Sequence, residues 1–171
     1  MTISVYSNAK VAMAQAPLNY LGMDSLRSLD RRSFERLGAD LDSWDSVDTF
    51  ACFLSGPCWR EKQISAEDVH EWAASNNRWW RRSALVSTVH LNNKARGGSG
   101  DPVRTLAVCK LLLNDHDDMV VKAMSWALRE LVKHDANAVQ EFLELHLDTL
   151  TARVVREVSN KLNTGLKNPR R

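Results

Sequence analysis

The segment DDMVVKAMSWALRELVK (117–133) decides the fold. Asp117 is a good N-cap, and the residues after it carry a helical period rather than the alternation of a strand. Met119, Val120, Ala123, Leu128 and Leu131 supply a packing face. Lys122, Trp126, Arg129 and Lys133 follow at i, i+4, i+7 and i+11, so they form one cation–aromatic stripe along the same helix. A tryptophan buried among surface cations would give the same pattern.

Working outward, every neighbouring segment also reads as helix. Prolines and glycines number four and seven, and most fall between periodic segments, so few helices are interrupted. Helices are expected over 30–41, from Asp42 or Ser43 to Gly56-Pro57, over 65–75 behind a Ser65/Asp68 capping box, and over 77–91. The stretch NNKARGGSG (92–100) reads as a flexible loop. Asp101-Pro102, an N-cap followed by proline at the first helical position, opens a helix to Asn114. Further helices are expected over 117–133, 135–147 and 151–163.

These helices fall into pairs, and the second members start near 43, 77, 117 and 151, at intervals of 34, 40 and 34. The longer interval holds the glycine-rich insertion. This is the spacing of HEAT-like helical repeats, so the expected fold is all-α, an α-solenoid with a concave basic face, against the alternative of an irregular helical bundle. The expected organisation is a poorly defined segment over 1–30, a repeat domain over 31–168 and a basic tail over 169–171.

Composition narrows the function. The 171 residues are 44% hydrophobic and 26% charged, too apolar for a disordered chain, and no apolar run approaches the length of a membrane span. The N-terminus lacks a secretory pattern, and Cys52, Cys58 and Cys109 suit neither a disulfide framework nor a CxxC site; a cytoplasmic location is expected. The five histidines are scattered, with no HExxH, P-loop, GxGxxG or GxSxG, so neither metal nor cofactor is expected. Net charge is only +2, but residues 151–171 carry six Lys or Arg against one Glu, leaving −3 for the remainder. That basic end could meet a polyanion.

The second helices concentrate the distinctive side chains. Trp44 and Asp48 lie four apart on one face; a pair at this spacing is more often a solvated surface acid beside a partly buried aromatic. Arg78, Trp79, Trp80, Arg81 and Arg82 form a basic and aromatic run, with Arg78 and Arg82 on one face and Trp80, Ala84 and Leu85 turned inward. Guanidiniums match phosphate oxygens bidentately. Lys122, Trp126 and Arg129 continue the theme, and Arg153, Arg156 and Asn160 repeat it on the last helix. In an array these faces share one side, giving a groove suited to a phosphate backbone.

The strings SWDSVDTFACFLSGPCWRE (43–61), WWRRSALVSTVHLN (79–92), GDPVRTLAVCKLLLND (100–115), VVKAMSWALRELVK (120–133) and REVSNKLNTGLKNPR (156–170) resemble the DNA alkylation repair family, the AlkD-like HEAT-repeat DNA glycosylases. The resemblance spans roughly residues 33 to 170. It implies hydrolysis of the N-glycosidic bond of cationic N3- and N7-alkylpurines in duplex DNA. The family's W-x-x-x-D motif is matched by Trp44 and Asp48, as catalytic residues. The arginine of its RR-x-A segment is best matched by Arg82, with Arg81 as the alternative, and would hold a phosphate. The tryptophan of its W-A-L-R-E segment is matched by Trp126, and Arg78, Lys122, Arg129, Arg153 and Arg156 extend the DNA-binding face. The family normally has further repeats before the W-x-x-x-D helix, where this chain has about forty residues. A shortened form is therefore expected, with an apolar face open to self-association. The other readings are a non-catalytic DNA-binding remnant and a helical-repeat scaffold for protein partners.

Overall fold

The structure, a computed structural model, describes residues 31–169. The segment expected over 1–30 and the last two residues of the basic tail lie outside the described residues. The described residues are all helical, without strands, in a repeat-like packing consistent with an α-solenoid.

The first pair is α1 (Arg31–Gly38) and the bent element formed by α2 (Trp44–Phe50), a π-helical turn (Ala51–Ser55) and α3 (Gly56–Arg60). The second is α4 (Ala66–Ala73) and α5 (Arg78–Asn92). The third is α6 (Pro102–Leu111) and α7 (Asp118–Leu131), and the fourth α8 (Ala136–Leu145) and α9 (Ala152–Thr164). The second members pack side by side in the order α2–α3, α5, α7, α9, with α4 and α6 touching in the other layer. α5 is the centre: Ala84, Leu85, Val86 and Val89 are buried between α2–α3 on one side and α7 on the other. Two of its buried hydroxyls are bonded within the helix. Ser87 donates to the Ser83 carbonyl and Thr88 to the Leu85 carbonyl, both at 2.7 Å, and Ser87 also pairs with Ser55 across the helix contact.

The cap residues act as expected. Ser65 and Asp68 form the capping box of α4, and Asn77, Asp101, Asp117 and Asp135 each accept a backbone N–H in the first turn of the helix that follows. Phe34, Phe50, Trp72 and Trp80 form an edge-on aromatic cluster beneath the first two pairs, with the Phe50 and Trp80 rings perpendicular at 5.8 Å.

Two expectations are corrected. The helix from Ser43 does not stop at Gly56-Pro57; it continues to Arg60 through the π-helical turn. Gly56 bonds the Ala51 carbonyl, and in the same wide register the next donor, for the Cys52 carbonyl, would be residue 57. Pro57 has no N–H. His90 of α5 replaces it: Nδ1–H donates to the Cys52 carbonyl at 3.0 Å, and Nε2 accepts from Arg60 Nη1 at 3.1 Å. Both ring nitrogens are thus used by a neutral imidazole. Burial, then the Arg60 charge, pull its pKa down to about 4. Glycine at 56 admits this crossing, since a Cβ there would fall 2.5 Å from His90 Cβ.

The second correction concerns 92–100, which is a packed turn rather than a flexible loop. The Asn92 side chain donates to the Thr88 carbonyl and to Thr105 Oγ1, and accepts from the Asp101 N–H. His134 reaches across to the Asn92 carbonyl at 2.6 Å. Gly98 lies so close to the end of α5 that a Cβ would meet the His90 carbonyl oxygen at 2.5 Å.

Candidate functional site

The second helices run parallel with their N-terminal ends in step. Arg82, in the second turn of α5, reaches Asp48 in the second turn of α2 and the Met119 carbonyl in the first turn of α7. Arg153, at the start of α9, reaches Asp118 at the start of α7. Trp126 lies midway along α7 and Arg129 in its last turn, but Trp44, Asp48, Arg78, Arg81, Arg82, Lys122 and Arg153 collect along one edge of the layer. They enter it from α2, α5, α7 and α9.

Trp44 is the first residue of α2 and is 58% exposed, the opposite of a core tryptophan. Asp48 lies one turn further on. Its carboxylate is gripped from both sides, with Arg82 Nε donating to Oδ1 and Nη2 to Oδ2, each at 2.9 Å. The Arg82 side chain is 6% exposed and that of Asp48 18%. The remaining Arg82 nitrogen donates to the Met119 carbonyl at 2.6 Å. The grip takes one lone pair from each carboxylate oxygen and leaves the others unused by Arg82. Burial pushes the Asp48 carboxyl up from its ordinary value, and the hydrogen bonds and charge of Arg82 act against that.

Arg82 was expected to meet a phosphate. It is instead buried, with all three nitrogens bonded inside the protein, because Asp48, 34 residues away, supplies its counter-charge. Arg81, the alternative, is also held inside: Nε pairs with Asp115 at 2.6 Å, and Nη1 donates to the carbonyls of Ser75 and Asn76 at 3.0 Å. Arg78 is 54% exposed, lies over the Trp79 ring at 5.2 Å and pairs with Asp117 at 3.3 Å.

Lys122 and Arg153 share one carboxylate, that of Asp118, at 2.6 and 2.9 Å. Trp126 is half-buried on α7 against the core, and no ring contact joins it to Trp44. Arg129 donates to Ser125 Oγ at 3.2 Å, and Ser125 donates to the buried Glu157 at 2.6 Å. Lys167 adds a second cation to Glu157 at 3.3 Å. Hydrogen bonds and neighbouring cations hold the Glu157 carboxyl below its ordinary value despite its burial. Arg156 is exposed.

Sequence reasoning missed the acids of this edge. Asp115, Asp117 and Asp118 pair with Arg81, Arg78, Lys122 and Arg153, and Glu157 with Ser125 and Lys167. The run N-D-H-D-D (114–118) was a signal, since acids adjoining a basic face tend to become its counter-ions, but only Asp117 was read, as a cap. Among the described residues, no cluster of His, Cys, Asp and Glu could hold a metal ion, and no helix is long and apolar enough to cross a membrane.

An anion fixed beside an exposed indole, at an edge where cations from three helices gather, can hold positive charge next to it. It can also accept a proton from a bound water. Comparison with curated proteins and with solved structures gave no match. A family model described as DNA alkylation repair enzyme matches residues 12–162, from before α1 almost to the end of α9. Covering most of the chain, including every residue of the Asp48 site, this match shows that the protein belongs to the DNA alkylation repair enzyme family.

Proposed function

We propose that this protein is a monofunctional DNA glycosylase that hydrolyses the N-glycosidic bond of N3- and N7-alkylated purines in duplex DNA. The observation that carries the reading is the carboxylate of Asp48, held in one orientation by Arg82 and flanked by an exposed Trp44.

The chemistry suits that arrangement. A purine alkylated at N3 or N7 is already cationic, so it leaves as a neutral base without a general acid. Positive charge then develops on the sugar as an oxocarbenium-like transition state. Asp48 stabilises that charge through its remaining lone pairs and orients or deprotonates the attacking water. Arg82 makes no DNA contact in this scheme. It keeps Asp48 ionised and fixed, so no reorganisation is needed as charge develops. Trp44 and Trp126 offer flat apolar surfaces to the deoxyribose of the damaged nucleotide. The exposed cations Arg78, Lys122, Arg153 and Arg156 face the phosphate backbone along a concave side, as in a HEAT-like array.

The test is incubation of methylated duplex DNA with the protein and analysis of the released bases. 7-Methylguanine or 3-methyladenine is expected to accumulate with protein concentration. Salt-dependent binding without release would identify a DNA-binding remnant, and absence of binding would favour a protein-interaction scaffold.

A further inference from the structure

The cations of the N-terminal edge differ in how their charge is held. Arg82 and Arg81 are locked in buried or half-buried pairs and also bond backbone carbonyls. Lys122 and Arg153 are different. Both are substantially exposed, they come from two helices, and their partner is the same carboxylate, Asp118, itself 55% exposed. Asp118 has no capping duty, which falls to Asp117. Its pKa is held below the ordinary value mainly by the Lys122 hydrogen bond, with the Lys122 and Arg153 charges adding to this. Exposed pairs of this kind are weak and exchangeable, unlike the buried Asp48–Arg82 pair.

The position of this group gives it a function. Asp118 precedes Met119, whose carbonyl anchors Arg82, so the Lys122–Asp118–Arg153 group adjoins the turn that supports Asp48. A carboxylate shared by two cations at 2.6 and 2.9 Å resembles, in charge and donor distance, a phosphate oxygen in the same place.

We infer that Asp118 is an internal competitor for the DNA backbone: it occupies the phosphodiester-binding position formed by Lys122 and Arg153 and is displaced when duplex DNA binds. The inference rests on the reading of the chain as a duplex-DNA binder and adds a specific phosphate site with its built-in occupant. Asp118 keeps the two cations together and lowers their net charge from +2 to +1. It thereby weakens retention on undamaged DNA, which an enzyme scanning for rare lesions must leave quickly.

The experiment measures affinity for an undamaged duplex oligonucleotide against salt concentration, using the full chain. Asp118→Asn is compared with wild type and with Glu144→Gln, which removes an exposed acid from α8. Asp118→Asn is expected to tighten binding several-fold and to leave the slope of log affinity against log salt unchanged, because the same phosphate is held in both complexes. Glu144→Gln is expected to match wild type. Adding Lys122→Ala to Asp118→Asn is expected to remove the gain in affinity and to make the slope shallower than that of wild type by about 0.9, the increment for one phosphate. If Asp118→Asn binds like Glu144→Gln, or more weakly than wild type, the competitor role is overturned while the functional reading stands. If neither wild type nor Asp118→Asn binds the duplex at low salt, the functional reading falls and this inference with it. Both variants alter exposed residues, and matching thermal unfolding curves establish that the comparison is between folded proteins.

Discussion

At the scale of single residues, two pulls act on Asp48: loss of water raises its pKa, and Arg82 lowers it. Burial prevails, so the acid limb of base release is expected to lie above the ordinary value of 3.8. The sign follows from the role. The active form is the anion, so rate is lost as pH falls through the raised pKa. Asp48→Asn should abolish release of 7-methylguanine while leaving DNA affinity equal or higher, because an anion near the backbone has been removed; release at the wild-type rate would refute the mechanism. Arg82→Ala leaves a buried carboxylate without a partner, which costs about 3–5 kcal/mol of stability for such pairs. It should also move the acid limb to higher pH, whereas a phosphate-binding arginine would leave the limb in place. Arg82→Lys retains the charge but cannot grip both oxygens, and an intermediate loss of rate is expected. The match to the family's W-x-x-x-D motif, rather than the i,i+4 spacing alone, made Trp44 and Asp48 legible in the sequence. Their connection to Arg82 was not, because ion pairs between different helices leave no periodic trace. Both the arginine and the carboxylate were recognised, but not that they pair with each other.

At the scale of elements, starts were more legible than stops. Asn77 and Asp117 immediately precede their helices and cap them, since capping chemistry is local, and Ser43 and Thr151 precede theirs, Thr151 without a side-chain cap bond. Ends were overestimated, as at α6, which finishes at Leu111 rather than Asn114. Gly56-Pro57 reads as a stop because its local chemistry usually is one. It fails as a stop because a histidine from α5 supplies the missing donor, a fact available only in three dimensions. This arrangement has a measurable consequence. His90 titrates at about 4 when folded and near 6.5 as a free side chain, so the unfolded chain binds more protons between those values. Its contribution to stability is complete above 6.5 and falls as pH drops toward 4. The loss is about 2 kcal/mol at pH 5, from 1.36 kcal/mol per pKa unit. Urea unfolding at pH 7 and pH 5 checks this, and a midpoint unaffected by pH would exclude a neutral His90 at the π-helical turn. Gly56→Ala should also destabilise the protein, by about 1–3 kcal/mol, because its Cβ would collide with His90 Cβ and the Ala51 carbonyl.

At the scale of the whole molecule, the repeat intervals made the layered order of α2–α3, α5, α7 and α9 legible, and the family match over residues 12–162 agrees with it. What the intervals could not convey was the state of the charges gathered on the shared edge. Sequence alone offers seven basic residues to DNA: Arg78, Arg81, Arg82, Lys122, Arg129, Arg153 and Arg156. The structure takes Arg81 and Arg82 into internal ion pairs and half-buries Arg129 beside Ser125. Burial lowers the pKa of Arg129. Four cations remain at the surface, and three of them already face acids of the 115–118 segment. Each phosphate neutralised contributes about −0.9 to the slope of log affinity against log salt. Seven contacts would give about −6, and the four exposed cations at most about −3.6. A shallow slope, no steeper than about −4, is therefore expected for an undamaged duplex. A value near −6 would mean that DNA draws the internal arginines out of their pairs, dismantling the grip on Asp48 on which catalysis depends.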